Sequence, residues 1–317
     1  MVFRGNTILG VFFISQLCVG VIGNLLLLMV YVHSSLVKAR ISRPIDPIFM
    51  HLMIVNILTI IFSMILYILS SFGVPNFLDD AGCKATVYIY RVTRGLSICT
   101  TSILSTFQAI SITPSNSNWV WLKPKLSKWT CHSFLFSWFI NLTLYVRIIE
   151  TVIIKINNTD VDYGFYHPYC KMRPFEYPNP ELFLNIIIIR DLFFVAIMVW
   201  TSLYMVILLL RHHKRAQHLH SPSLSSSQAS PEHKATHSIL LLTSCFVFFY
   251  LVNNFITLYG FSTHERKPNL GAIVVVVPSF YPTLCPFLLM NINKIISRFI
   301  SSLPVLRIAC FQRAVGE

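Results

Sequence analysis

Charge is what this sequence has least of. Asp, Glu, Lys and Arg make up 12% of its 317 residues, about half the share found in soluble domains. So sparse a supply excludes an ordinary water-soluble protein. Catalytic signatures are missing as well. The chain has no Gly-rich phosphate loop, and its apolar stretches hold neither paired carboxylates nor a metal-spaced His and Cys set. These gaps argue against an enzyme and imply no metal and no cofactor. His212, His213, His218 and His220 do cluster, but in a segment running into Ser221-Pro222-Ser223 and Ser230-Pro231, a composition that forms a solvated loop.

Apolar residues fill the gap. They make up 55% of the chain, with a mean hydropathy of +0.65. Segments nearly free of charge recur at 8–33, 48–70, 84–112, 129–149, 182–210, 236–260 and 270–292, each long enough to cross a bilayer at about 20 residues per span. The expectation is an all-α membrane protein, a bundle of seven transmembrane helices forming one domain over residues 1–317 with a short tail at 293–317. The first apolar stretch exceeds a secretory h-region and precedes a basic loop, so it is read as a retained span.

The net charge of +13 is a matter of topology rather than of nucleic acid, for which no soluble basic module exists. With the N-terminus outside, fourteen Lys and Arg residues, from Lys38 through Lys123, Lys125, Lys128, Arg211, Lys214 and Arg215 to Arg313, fall on the inner side. Six fall outside: Arg4, Lys155, Lys171, Arg173, Arg266 and Lys267. This is the positive-inside pattern for an outer N-terminus and a cytoplasmic C-terminus in a multi-pass plasma-membrane protein. The same topology leaves Cys83 and Cys170 as the pair on the oxidising side, as a disulfide requires. It also places Asn157, in Asn157-Asn158-Thr159, where glycosylation is possible. Cys18, Cys99, Cys131, Cys245 and Cys285 lie in spans and read as small buried apolar residues, while Cys310 in the tail is a candidate for palmitoylation.

Ionisable groups inside spans are the functional candidates, because the membrane makes each expensive. Arg91, Arg94, Arg147, Arg190 and Asp191 all lie in the outer half. If Cys83 faces the second outer loop, Tyr90 and Arg94 return to within about 20° of it at 100° per residue, and Arg91 sits about 80° away. Arg190 and Asp191, as sequence neighbours, are expected to need separate partners, with Arg94 and Asp191 pairing. Asn253 and Asn254 join these as candidate ligand-binding residues. The surplus of arginine favours ligands with an acidic or strongly polar group; interhelical salt bridges are the competing reading. Asn24 and Asn56 are read as packing residues, His51 and His132 as interfacial. Pro278, Pro282 and Pro286 must loosen the seventh span.

Local motifs then sharpen the picture. Arg94-Gly95-Leu96-Ser97-Ile98-Cys99-Thr100-Thr101 continuing to Phe107-Gln108-Ala109-Ile110, Arg190-Asp191 opening a long fifth span, Gln217-His218-Leu219-His220, Ser230-Pro231-Glu232, and Tyr281-Pro282-Thr283 with Pro286-Phe287 together resemble the vomeronasal type 1 receptors over essentially the whole chain. The chain departs from rhodopsin-like receptors. Phe107-Gln108-Ala109 stands where an Asp-Arg-Tyr would, Asn56 where a sodium-binding Asp would, the sixth span has no proline, and Cys285-Pro286-Phe287-Leu288-Leu289 replaces Asn-Pro-x-x-Tyr. The resemblance implies a pheromone receptor that binds small molecules between spans 3, 5, 6 and 7 and couples to inhibitory-class heterotrimeric G proteins in vomeronasal sensory neurons. Gln108, Lys123, Lys125, Arg211, Lys214 and Arg215 would form the coupling face. The bitter-taste class is the nearest alternative, disfavoured by the outer cysteine pair. A small secondary transporter is the alternative from another class; it expects two matching halves, which seven spans do not give.

Overall fold

A computed structural model of the chain describes residues 2–37, 44–74, 78–115, 117, 119–154, 168–172, 180–219, 231–262 and 268–290. Asn157, Cys310, His220 and the 221–230 segment lie outside them, as do the side chains of His212, His213 and His218. Seven long helices carry the fold: α1 (Val2–Val37), α2 (Asp46–Ser71), α3 (Asp80–Ser111), α4 (Leu126–Tyr145), α6 (Pro180–Leu219), α7 (Pro231–Ser262) and α8 (Pro268–Met290). A one-turn helix α5 (Arg147–Thr151) follows α4, and a 3-10 turn at Val120–Lys125 precedes it. The strands β1 (Val152–Ile154) and β2 (Cys170–Met172), which the charge pattern does not announce, pair antiparallel with Ile154 opposite Cys170.

Five of the helices, α1, α2, α4 with its flanking turns, α6 and α7, are long and apolar enough to cross a membrane. Helix α3 is not among them. Its sequence is rich in Thr, Ser and Arg, and the bundle can hold such a helix because its neighbours, rather than lipid, surround it. Thr93, Thr100, Thr101, Thr106, Ser111 and Thr113 each donate to the carbonyl four residues earlier, so their hydroxyls bring few unmet demands into the interior.

One end of the bundle is tied by a disulfide between Cys83, at the start of α3, and Cys170 on β2, with Cα atoms 5.7 Å apart. Asp80 accepts from the Ile154 amide at 2.8 Å. Tyr169 donates to the Val74 carbonyl at 2.6 Å, and burial raises its phenol above the ordinary value, keeping the donor protonated. The hairpin is thereby fixed across the mouth of the helices. Among the span cysteines, Cys99 and Cys285 are buried as expected, whereas Cys18 and Cys131 are exposed on the outside of the bundle, where a thiol is apolar enough to face lipid.

The prolines of α8 explain a buried asparagine. Pro286 has no N–H, so the Pro282 carbonyl loses its helical donor. Asn24 of α1 supplies one, Nδ2 donating to Pro282 O at 3.0 Å and to Gly20 O at 2.7 Å. The helices come this close because residue 20 is glycine: a Cβ there would sit 2.7 Å from Ile60 Cδ1 and 2.9 Å from Thr283 Oγ1. Replacing Asn24 by Ala strands that carbonyl, so Asn24→Ala is expected to cost about 1–2 kcal/mol. Thermal unfolding of the purified protein in detergent should show a lower Tm, and an unchanged Tm would remove this account.

Candidate functional site

At the disulfide end, α3 and α6 meet around Arg190. Its Nη1 donates to Asn141 Oδ1, its Nη2 donates to the Tyr145 hydroxyl at 2.6 Å, and the guanidinium lies 5.4 Å from the Tyr145 ring centre. Gly95 on α3 makes the space: a Cβ would fall on Asn141 Oδ1 and within 2.6 Å of Arg190 Nη1. Nη2 also lies 2.8 Å from Asp191 Oδ1. That approach is an ion contact lacking hydrogen-bond geometry. The expectation that adjacent residues cannot pair is therefore corrected. The rule concerns side chains leaving a helix about 100° apart, but an extended arginine reaches around its own helix to the neighbouring carboxylate. Arg94, the partner expected for Asp191, is not within ion-pair distance of it.

The consequence is a division of charge. Arg190 and Asp191 neutralise each other between α3, α4 and α6, and both are nearly buried. Arg94 lies within electrostatic reach of Asp191, yet it makes no hydrogen bond or ion pair among the described residues. It faces a narrow cleft of about 30 Å³ instead. The lining comes from α2 (Thr59), α3 (Arg94, Ser97, Ile98), α7 (Phe246, Phe249, Tyr250, Asn253) and α8 (Pro278, Tyr281, Pro282).

Four of the eleven described lining residues are aromatic: Phe246, Phe249, Tyr250 and Tyr281. Phe246 meets Tyr281 edge-on at 4.7 Å, and Phe249 stacks on Phe280 at 5.7 Å. Thr59, Ser97 and Tyr281 supply the cleft's hydroxyls; Tyr281 shares a hydrogen bond with Thr101 at 2.9 Å, and Ser97 donates to Asn56 Oδ1 at 3.3 Å. A cation at one edge, aromatic sides and small hydroxyls below suit an organic molecule carrying an acidic or polar group.

Of the sequence-predicted ligand residues, the cleft brings together Arg94 and Asn253. Tyr90 lies a turn from Arg94 on the same helix, and Asn254 hydrogen-bonds Tyr250. Asp191 hydrogen-bonds Tyr250 from behind, so α6 touches the cleft through that side chain, and none of the described lining belongs to α6. Arg91 and Arg190 do not line it. Sequence reasoning misses the aromatic wall, although Phe246, Phe249, Tyr250 and Asn253 recur at one helical face and that periodicity is its signal.

The opposite end holds hydrogen bonds without charge. Gln108 Nε2 donates to Thr236 Oγ1 at 3.0 Å, joining α3 to α7. Ser105 and Thr201 share one at 2.6 Å, Thr113 and Tyr204 another at 3.2 Å, joining α3 to α6. Lys123 and Lys125 lie on the 3-10 turn at this end and Arg211 is exposed near the end of α6; the side chains of Lys214 and Arg215 are outside the described set. His51 is wired between helices rather than free, accepting from Trp138 Nε1 at 3.0 Å, bonded through Nδ1 to Thr100 at 3.0 Å, and stacked on Phe134 at 4.5 Å. Because Nε2 accepts, Nδ1 carries the proton. His132 is exposed and bonds only its own helix, at Lys128 O. Among the described residues no group of His, Cys, Asp and Glu is placed to hold a metal ion.

Known proteins are similar to this chain along nearly its whole length. The family model for the vomeronasal organ pheromone receptor family matches residues 7–302. Vomeronasal type-1 receptor 90 of Rattus norvegicus is 33% identical over 92% of this chain and 93% of its own length. Vomeronasal type-1 receptor 4 of Homo sapiens is 32% identical over 90% and 94%, and olfactory receptor class A-like protein 1 of Danio rerio is 30% identical over 91% and 90%. Squid rhodopsin superposes with a TM-score of 0.74 at 14% identity, covering 97% of this chain and 83% of that one, a likeness of fold alone.

The Arg190 cluster yields a test. Gly95→Ala must displace Asn141 and Arg190, at a cost of about 1–3 kcal/mol for overpacking, so surface display and Tm should both drop. A variant with wild-type values for both would show the cluster to be looser than its geometry.

Proposed function

The chain belongs to the vomeronasal organ pheromone receptor family, and from that membership we propose that it binds small organic anions in the cleft beside Arg94 and signals to inhibitory-class heterotrimeric G proteins. As a member of this family it is a multi-pass plasma-membrane receptor and not an enzyme. The observation that carries the ligand reading is Arg94, a cation facing an aromatic cleft without an ion partner among the described residues. Its orientation has the N-terminus and the disulfide end outside and the C-terminus in the cytoplasm, which the excess of Lys and Arg at the other end supports. Vomeronasal sensory neurons are the proposed site of action, and Asn157 the proposed glycan acceptor.

The narrowness of the cleft supplies a mechanism. A ligand of ordinary size needs roughly 300 Å³ or more, far above the cleft's 30 Å³, so entry has to part the aromatic side chains of α7 and α8 from α3. Any ligand that binds the parted form more tightly shifts the population toward it. Helix α7 carries both the aromatic wall and, fourteen residues before Tyr250 and about 21 Å away, Thr236. Displacing it strains the Gln108–Thr236 hydrogen bond and opens a cytoplasmic crevice beside Gln108. Lys123, Arg211, Lys214 and Arg215 are the proposed basic rim of that crevice, with Lys125 the remaining candidate. Ligand contact is thus assigned to spans 2, 3, 6 and 7, with span 5 acting through Asp191.

Two measurements test this reading. In cells expressing an inhibitory-class G protein, Arg94→Ala should raise the effective concentration of anionic odorants about 30-fold, the equivalent of roughly 2 kcal/mol for a charged hydrogen bond, while neutral odorants shift little; equal shifts at normal surface display would defeat the ligand assignment. Gln108→Ala and Thr236→Val should each raise ligand-free signalling by about 2- to 10-fold, the range for losing one buried hydrogen bond. Unchanged basal output in both would mean that this bond does not hold the resting form.

A further inference from the structure

Helix α4 presents an unpartnered face along its whole length. Leu135, Phe136 and Phe139 are 62–67% exposed, and in a bundle of this kind such a face meets lipid tails. The same stripe continues toward the cytoplasmic end and changes character. Trp129 lies seven positions before Phe136, Lys128 eleven before Phe139, and Lys125 eleven before Phe136. At 100° per residue each returns to within about 20° of its apolar counterpart. Lys123 lies further back, inside the 3-10 turn, and is less exposed than Lys125 and Lys128. Helix α4 has 20 residues, about 30 Å at 1.5 Å each, which matches the hydrocarbon thickness, so Lys125 and Lys128 stand at headgroup level.

The chemistry at that level is uniform. Trp119, Trp121 and Trp129 are each 57% exposed, and Lys125 Nζ lies 5.3 Å from the centre of the Trp121 ring, a cation–π contact that holds the ammonium beside the indole. Lys125 and Lys128 are exposed. No Asp or Glu occurs anywhere in residues 112–149, so no carboxylate of this segment neutralises them. Indoles settle at the membrane interface, and exposed lysines there attract acidic headgroups.

We propose that Trp121, Lys125, Lys128 and Trp129 form a docking site for an anionic phospholipid headgroup of the cytoplasmic leaflet, which removes Lys125 from the G-protein-facing set. The site rests on the orientation proposed above for its leaflet, though not on the ligand reading. Its position at the foot of α4, directly before a helix wired to α2 and α3 through Trp138 and His51, lets a bound lipid bear on the same helices that form the signalling crevice.

The test uses the full-length receptor in detergent, titrated with phosphatidylserine or phosphatidylcholine and read by native mass spectrometry. Wild type should retain phosphatidylserine in preference, and Lys125→Gln and Lys128→Gln should each weaken that preference about fivefold; Lys84→Gln, at the opposite end, should leave it unaltered. Equal retention of the two lipids by wild type, or a preference undiminished in the double variant, overturns the site. Should the double variant fail to fold, photoactivatable phosphatidylserine on the wild-type protein decides the matter, cross-linking within residues 119–132 supporting it and cross-linking only elsewhere rejecting it. Because these readouts are independent of sidedness, orientation is tested separately. An epitope inserted after Ser117 that stains intact cells refutes the cytoplasmic leaflet whatever the lipid preference.

Discussion

Arg190 is the charge around which the disulfide-end half of the bundle is built. A guanidinium in a membrane protein interior has to be paired and solvated by protein, and each element around it meets one part of that demand. Asn141 and Tyr145 accept hydrogen bonds from it on the α4 side, the Tyr145 ring centre lies 5.4 Å from the guanidinium, and Asp191 balances its charge. Gly95 keeps α3 clear of it. Because Asp191 is engaged on that side and bonds Tyr250 on the other, Arg94 is left as the cation facing the cleft. The selectivity proposed for the cleft therefore depends on a residue outside it.

The same economy governs the polar groups of α3. A helix so rich in hydroxyls fails the apolarity needed to stand in lipid, and the bundle places it where its side chains find carbonyls of their own helix, Asn56 and His51 of α2, or hydroxyls of α6, α7 and α8. The resulting cross-links are neutral at the end opposite the disulfide. A neutral tie such as Gln108–Thr236 is weaker than an ion pair in apolar surroundings, and salt screening bears little on it. A receptor held closed this way has a small gap between its two states, which modest differential ligand affinity is enough to invert.

Much of this is legible in the sequence, and what is not has identifiable causes. Charge-free runs locate seven helices because the bilayer dictates their length, and the cysteine pair follows once the outer segments are known. The facing of Arg94 follows from helical period, since Cys83 supplies a reference direction. Pairing is where the reading breaks down. Whether Arg190 meets Asp191 or something else depends on how far a flexible side chain bends and on the hole that Gly95 leaves, and neither is a periodic quantity. His51 reads as interfacial because its distance from the helix end says nothing of Thr100 and Trp138, 49 and 87 positions away. The aromatic wall is visible as a stripe on α7, but apolar stripes in a membrane protein face lipid as readily as a cavity.

Helix α7 is freer to move in one direction than in the other. On the lipid side, between α6 and α7, the surface opens into a groove of about 500 Å³ bordered by Val199, Leu203, Val206, Val247, Phe248 and Leu251. Lipid tails fill such a groove and yield when a helix shifts, whereas the packed side of α7 holds Phe246 and Tyr250 against α8 and α3. Pressure from a ligand in the cleft therefore meets a close-packed interior on one side and a fluid on the other. Motion away from α3 is the softer path, and it is the motion that loads the hydrogen bond at Gln108.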